Sequence, residues 1–211
     1  MENKPEYLED LRIIKKVMEE SSRFLSLSGL SGIFAGLIAL AGAVVSVVIF
    51  FDGSFILTDG MFSVKSVQEL SRIKVGLTLL SGIVLVLSIA VSIWLSIRNA
   101  VKKSQSMWTP VSRKLLMNLT VPLVTGGILI MIFLLHDEWQ YILPSMLIFY
   151  GLSLVSATKF TYNDIFYLGL IEVFTGLTAA ALPAYGIIFW SFGFGLLHIV
   201  YGLLLYRKYE R

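Results

Sequence analysis

The chain contains no cysteine, which excludes disulfides, iron–sulfur clusters and thiolate zinc sites. Charge is scarce as well: 15% of the residues are Asp, Glu, Lys or Arg, against 56% hydrophobic. That balance, with a mean hydropathy of +0.81, lies far outside the composition of soluble globular proteins. Signatures of catalysis are missing too. There is no Walker A loop, no HExxH and no GxSxG, so the sequence offers neither a phosphate cradle, a zinc-protease helix nor a nucleophile elbow. No metal or cofactor is expected. A chain of 211 residues spent mostly in apolar runs leaves little room for a soluble catalytic domain. The net charge of +3 is read as membrane topology and not as affinity for nucleic acid.

What is present is a series of six apolar runs, at about 27–51, 75–97, 115–135, 141–157, 166–183 and 187–206. Each approaches the roughly 20 residues that cross a hydrocarbon core of about 30 Å. The fold expected is an all-α integral membrane protein, six transmembrane helices preceded by a cytoplasmic amphipathic helix. Residues 1–26 form that helix, 27–206 the bundle and 207–211 a short basic cytoplasmic tail. The first run follows a segment of five bases and six acids, unlike the short basic region of a signal peptide, and is read as a retained helix. Connecting segments that would share one side with the termini hold 14 Lys and Arg, and those on the other side only Lys65, Arg72 and Lys74. Since positive charge in short loops resists translocation, both termini are expected in the cytoplasm.

Before the first run, Tyr7, Leu11, Ile14, Met18, Ser21 and Leu25 recur at steps of four and three, one stripe of a helix. Its charge balance argues against a basic lipid anchor. It suits a helix lying along the bundle, or one that engages a protein partner or another copy of the chain. Farther on, Ser66 with Glu69 has the spacing of a capping box and would start the second helix outside the membrane.

Small residues mark where helices approach closely in lipid, because hydrophobic drive between helices is weak there. In the first run Ser31, Ala35, Ala39 and Ala43 form one ladder and Ser28, Gly32 and Gly36 the next, which places this helix near the bundle centre. Gly169 and Gly176 mark the packing face of the fifth span, and Gly195 and Gly202 that of the sixth.

Ionisable groups within spans are costly and demand partners. Glu172 and His198 each lie between two glycines of their helix. Counted from the cytoplasmic ends, they sit about 9 Å and 12 Å deep. A direct or water-bridged pair is therefore expected, with Tyr150 and Asn118 as neighbouring ligand or proton-relay candidates. His136-Asp137-Glu138 reads as a solvated loop. Gly29-Leu30-Ser31-Gly32 with His198 and Gly202 resembles the serine and histidine elements of rhomboid-type proteases, but the serine stands on the wrong span for that chemistry.

The run from Ser21 to Ile33, with Phe189-Trp190 and the stretch from Gly193 to Gly202, resembles a family of uncharacterised bacterial inner-membrane proteins. The resemblance implies a small six-span protein of the bacterial cytoplasmic membrane and assigns no active residue. Two functions fit these readings. The first is small-molecule or ion binding and transport through a cytoplasm-facing polar cavity near Glu172 and His198. The second is a structural or regulatory membrane subunit, with that pair as a helix clamp and residues 1–26 and the basic loop as its contacts. The bilayer is the expected partner, homo-oligomers are compatible, and nucleic acid is not.

Overall fold

The computed structural model describes residues 28–51, 53–56, 66–103, 106 and 108–210. Six helical rods account for nearly all of them: α1 (Gly29–Phe50), α2 (Val67–Lys102), α3 (Pro110–Leu135), α4 (Ile142–Ala157), α5 (Asp164–Ala181) and α6 (Pro183–Tyr209). All six spans are long and apolar enough to cross a bilayer. The expected amphipathic helix at 1–26 lies outside the described residues.

Local signals explain where the rods begin. At α2, Ser66 Oγ accepts from the Glu69 N–H at 3.3 Å and Glu69 Oε2 accepts from the Ser66 N–H at 3.1 Å, closing the capping box. The helix therefore starts at Val67, well before its apolar run. Thr109 and Ser112 make the same reciprocal cap at α3, with Pro110 in the first helical position. α4 is 16 residues long and gains span from 3₁₀ turns at Trp139–Tyr141 and Thr158–Phe160. α6 changes geometry along its length: a 3₁₀ turn at Pro183–Tyr185, α at Gly186–Trp190, π-helical at Ser191–Leu197 and α again at His198–Tyr209. Its last stretch carries Arg207 and Lys208, which the sequence assigns to a tail.

Two glycine seams set the packing. Along α4 and α5, a Cβ on Gly151 would stand 2.5 Å from the Gly169 carbonyl oxygen, and a Cβ on Gly169 2.7 Å from that of Gly151. Along α1 and α6, a Cβ on Gly36 would lie 2.6 Å from the Gly195 carbonyl, and one on Gly202 2.6 Å from the Ile33 nitrogen. Only glycine permits such backbone contact. α2 leans on α1 and α3 on α4 at the flanks. Their outer faces, among them Leu79, Val86, Val121 and Ile128, are exposed, as expected for surfaces turned to lipid.

Two expectations need correction. α1 is not central: it packs between α2 and α6, while α4, α5 and α6 hold the most enclosed residues. The second is the extent of the ladders, which end at Ala43 in the small residues: Val47, one step of four farther on, is 2% exposed and packs with Phe51 and Ile187. A β-branched residue can fill a contact face where the helices have diverged enough to admit it.

Polar contacts tie each end. At one, Glu210 receives the Gly29 N–H and the Ser28 hydroxyl, so the last turn of α6 caps the start of α1. Beside it Lys208 Nζ lies 3.0 Å from Asp164 Oδ2, which also accepts from the Tyr209 hydroxyl at 2.7 Å. At the other end Lys74 pairs with Asp137 and lies 5.4 Å from the Trp139 ring centre.

Candidate functional site

Glu172 projects from the middle of α5 toward α6 and is completely enclosed, with 0% of its surface exposed. Its neighbours explain how the carboxylate fits. On α6 a Cβ at Gly193 would stand 2.5 Å from Glu172 Oε2, so the missing side chain supplies the space. Gly193 lies in the π-helical stretch, a widened turn of the kind that often occurs at functional sites.

His198 follows directly. Its Nδ1 lies 3.0 Å from the Gly193 carbonyl oxygen and 3.5 Å from Glu172 Oε1. A carbonyl can only accept, so Nδ1 carries a hydrogen. In the neutral ring Nε2 then accepts, and the Tyr150 hydroxyl, 2.7 Å away on α4, is its donor. Both ring nitrogens are thus engaged, and neither reaches Glu172 with hydrogen-bonding geometry. Both Glu172 oxygens are buried without a hydrogen-bond partner. A bare carboxylate charge in that position is costly, and a proton or a cation must compensate it.

An aromatic wall stands on one side. Tyr150 and Phe194 have ring centres 5.0 Å apart, Phe194 and His198 5.8 Å, and Trp190 and Phe194 5.3 Å. Trp190 Nε1 is also buried without a partner. The enclosure keeps the effective dielectric low around Glu172 and strengthens every polar interaction there.

The structure therefore brings together three of the four candidates: Glu172, His198 and Tyr150. Asn118 is engaged elsewhere, donating to the Lys114 carbonyl at 2.8 Å and accepting from Ser156 at 3.4 Å. Gly169 and Gly176 face α4, whereas Gly195 and Gly202 face α1. His198 turns instead to α4 and α5, although it lies three residues from Gly195. Ser31 donates to the Ser28 carbonyl at 2.5 Å and His198 is taken by Tyr150 and Gly193, so the two do not form a dyad. In the loop, Asp137 accepts from Lys74 and from Trp139 Nε1. Among the described residues no His, Asp or Glu cluster has the layout of a metal site.

Sequence reasoning missed Gly193, Phe194 and Trp190. The spacing of Trp190, Phe194 and His198 at steps of four was the available signal, though an α-helical reading would have made it a lipid-facing or packing stripe. No known protein family, curated protein or solved structure was found to match this chain.

Proposed function

We propose that this six-span membrane protein binds and transports a cation, the proton, with Glu172 as the carboxylate that takes it up. The observation that carries this reading is an acidic group fully enclosed in the bundle, with both oxygens unpartnered. Packing favours the smallest cation, because even a Cβ at Gly193 would stand 2.5 Å from Oε2 and 2.4 Å from Leu147 Cδ2. His198 and Tyr150 are the polar side chains beside it, and the His198 Nδ1–H, 3.5 Å from Oε1, is the donor at hand for an ionised Glu172. The orientation belongs to the same proposal: both termini in the cytoplasm of a bacterial inner membrane, supported by the 14 to 3 division of Lys and Arg.

Infrared spectroscopy of the protein in lipid vesicles tests it. A protonated-carboxyl band that disappears as pH rises, and that Glu172→Gln removes, is the expected result. Proton flux driven by an imposed potential should vanish in the same variant. A band unaffected by Glu172→Gln would overturn the assignment.

A second reading, a structural or regulatory subunit with partners at residues 1–26 and the basic loop, is favoured by one feature: His198 on α6 already joins α4 through Nε2, at the Tyr150 hydroxyl. Under that reading Glu172→Gln would leave flux at the level of empty vesicles, as would the unmodified protein.

A further inference from the structure

The Nδ1–H of His198 stands between two acceptors, the Gly193 carbonyl at 3.0 Å and Glu172 Oε1 at 3.5 Å. It serves the first, and the second has no donor. We infer that His198 is a two-position donor: when Glu172 releases its proton, the Nδ1–H turns from the Gly193 carbonyl to the Glu172 carboxylate, so that the π-helical stretch of α6 responds to the charge on α5. This rests on the reading that Glu172 takes up and releases a proton.

The physical reason is a change in acceptor strength. A carboxylic acid oxygen accepts weakly, and a carboxylate forms a shorter, charge-assisted bond, roughly twice as strong as a neutral one. Burial raises the stakes, because an ionised Glu172 has no water to turn to. The gap to be closed is small, and the ring can swing about its Nε2 end, where the Tyr150 hydroxyl donates throughout. Only the Glu172 O–H bond breaks. Its proton passes to bulk water, and the imidazole stays neutral in both states.

Groups facing Glu172 leave His198 as the donor at hand. The helices packed on α5 are α4 and α6. α4 carries no charged residue, and its titratable group at the site is Tyr150. On α6 the charged side chains are Arg207 and Lys208, more than two turns from His198, and Lys208 is bound to Asp164 on α5. Tyr201 and Tyr209 pack, like Tyr150, against the cluster of Leu154, Ile165 and Leu168, and neither hydroxyl bonds to Glu172.

Release of the Gly193 carbonyl frees the His198 bond to the middle of the π-helical stretch, while Ser191 Oγ still holds its start at the Ile187 carbonyl, 2.8 Å away. On the opposite face of that stretch α1 is seated through Gly36 against the Gly195 carbonyl and Ile199. A change of turn geometry there displaces α1 against α6. The charge on one helix is thereby read by a different seam of the bundle.

Nuclear magnetic resonance in lipid vesicles, in a His136→Asn background so that His198 is the single imidazole, provides the test. The Nδ1–H resonance and the Gly193 carbonyl carbon are followed with pH, alongside the Glu172 infrared band. The expected result is a downfield move of Nδ1–H with an upfield move of the Gly193 carbonyl, over the pH interval in which the band disappears. Glu172→Gln should hold both resonances at their low-pH positions. If the band titrates while both resonances stay still, the donor switch is wrong and Glu172 remains the proton site. If the band does not titrate at all, both the switch and the proton site fall.

Discussion

The carboxylate of Glu172 occupies the volume that a side chain at Gly193 would take, since a Cβ there would stand 2.5 Å from Oε2. The acid of α5 and the glycine of α6 are therefore one packing unit. It joins a residue that is expensive in a membrane to a backbone position that tolerates its approach.

Gly193→Ala should accordingly destabilise the protein by about 1–3 kcal/mol, the usual cost of overpacking a filled site. Gly82→Ala and Gly127→Ala are the controls, because nothing lies within 4 Å of a Cβ at either position. Thermal unfolding in detergent measures the difference. Equal stability of all three variants would mean that the carboxylate moves aside freely.

Tyr150→Phe removes the 2.7 Å bond to His198 Nε2 and should cost about 1 kcal/mol, typical of a hydrogen bond between membrane helices. Combining it with His198→Leu in a double-mutant cycle should return a coupling energy of about that size. A coupling near zero would show that the two rings merely stack.

On the α1–α6 seam, Gly36→Leu should abolish assembly of a stable monodisperse protein, because even a Cβ at Gly36 would lie 2.6 Å from the Gly195 carbonyl. Val48→Leu, on a face that is 66% exposed, should be neutral in size-exclusion profile and melting temperature. Val47→Ala should lower the melting temperature, because Val47 is enclosed by Phe51 and Ile187.

The Lys74–Asp137 pair gives a pH dependence at the opposite end from Asp164. The hydrogen bond from Lys74, followed by that from Trp139, holds the Asp137 carboxyl below the ordinary carboxylate range. A lowered folded-state pKa adds stability that is present above the unfolded value and is lost as pH falls through the folded one. Asp137 is solvent-exposed, so the effect is small and salt-sensitive. Melting curves of Asp137→Asn and the unmodified protein should differ at neutral pH and converge in acid.

Because the chain has no cysteine, single cysteines report topology cleanly. Glu138→Cys should react with an impermeant reagent from outside intact cells, and Lys159→Cys only after the membrane is opened. The reverse pattern would invert the orientation.

Number and approximate extent of the spans were written in the sequence because both follow from one-dimensional quantities. Runs of about 20 apolar residues must cross the bilayer or leave backbone groups unpaired in it. Caps such as Ser66 with Glu69 are local, which made the early start of α2 readable. The caps at Thr109 and Ser112 were equally local, but they lie in polar sequence that hydropathy ignores. The common level of Glu172 and His198 was legible for the same reason, since antiparallel neighbours at equal depth meet at a fixed rise per residue.

What only the tertiary structure decided was direction around the helix axis. Gly195 and His198, three residues apart, would share a face in an unbroken α-helix. Gly195 and Gly202 seat α1 on the bare backbone, whereas the long side chain of His198 between them leans round the helix to Tyr150, a direction that spacing alone does not give. The place of α1 at the side of the bundle was likewise set by how two glycine seams compete for neighbours, which no single helix encodes. Whether Glu172 bonds to His198 depended on a Gly193 carbonyl that takes the imidazole proton first. A backbone acceptor at that distance is a property of the folded turn and is not visible in the order of residues.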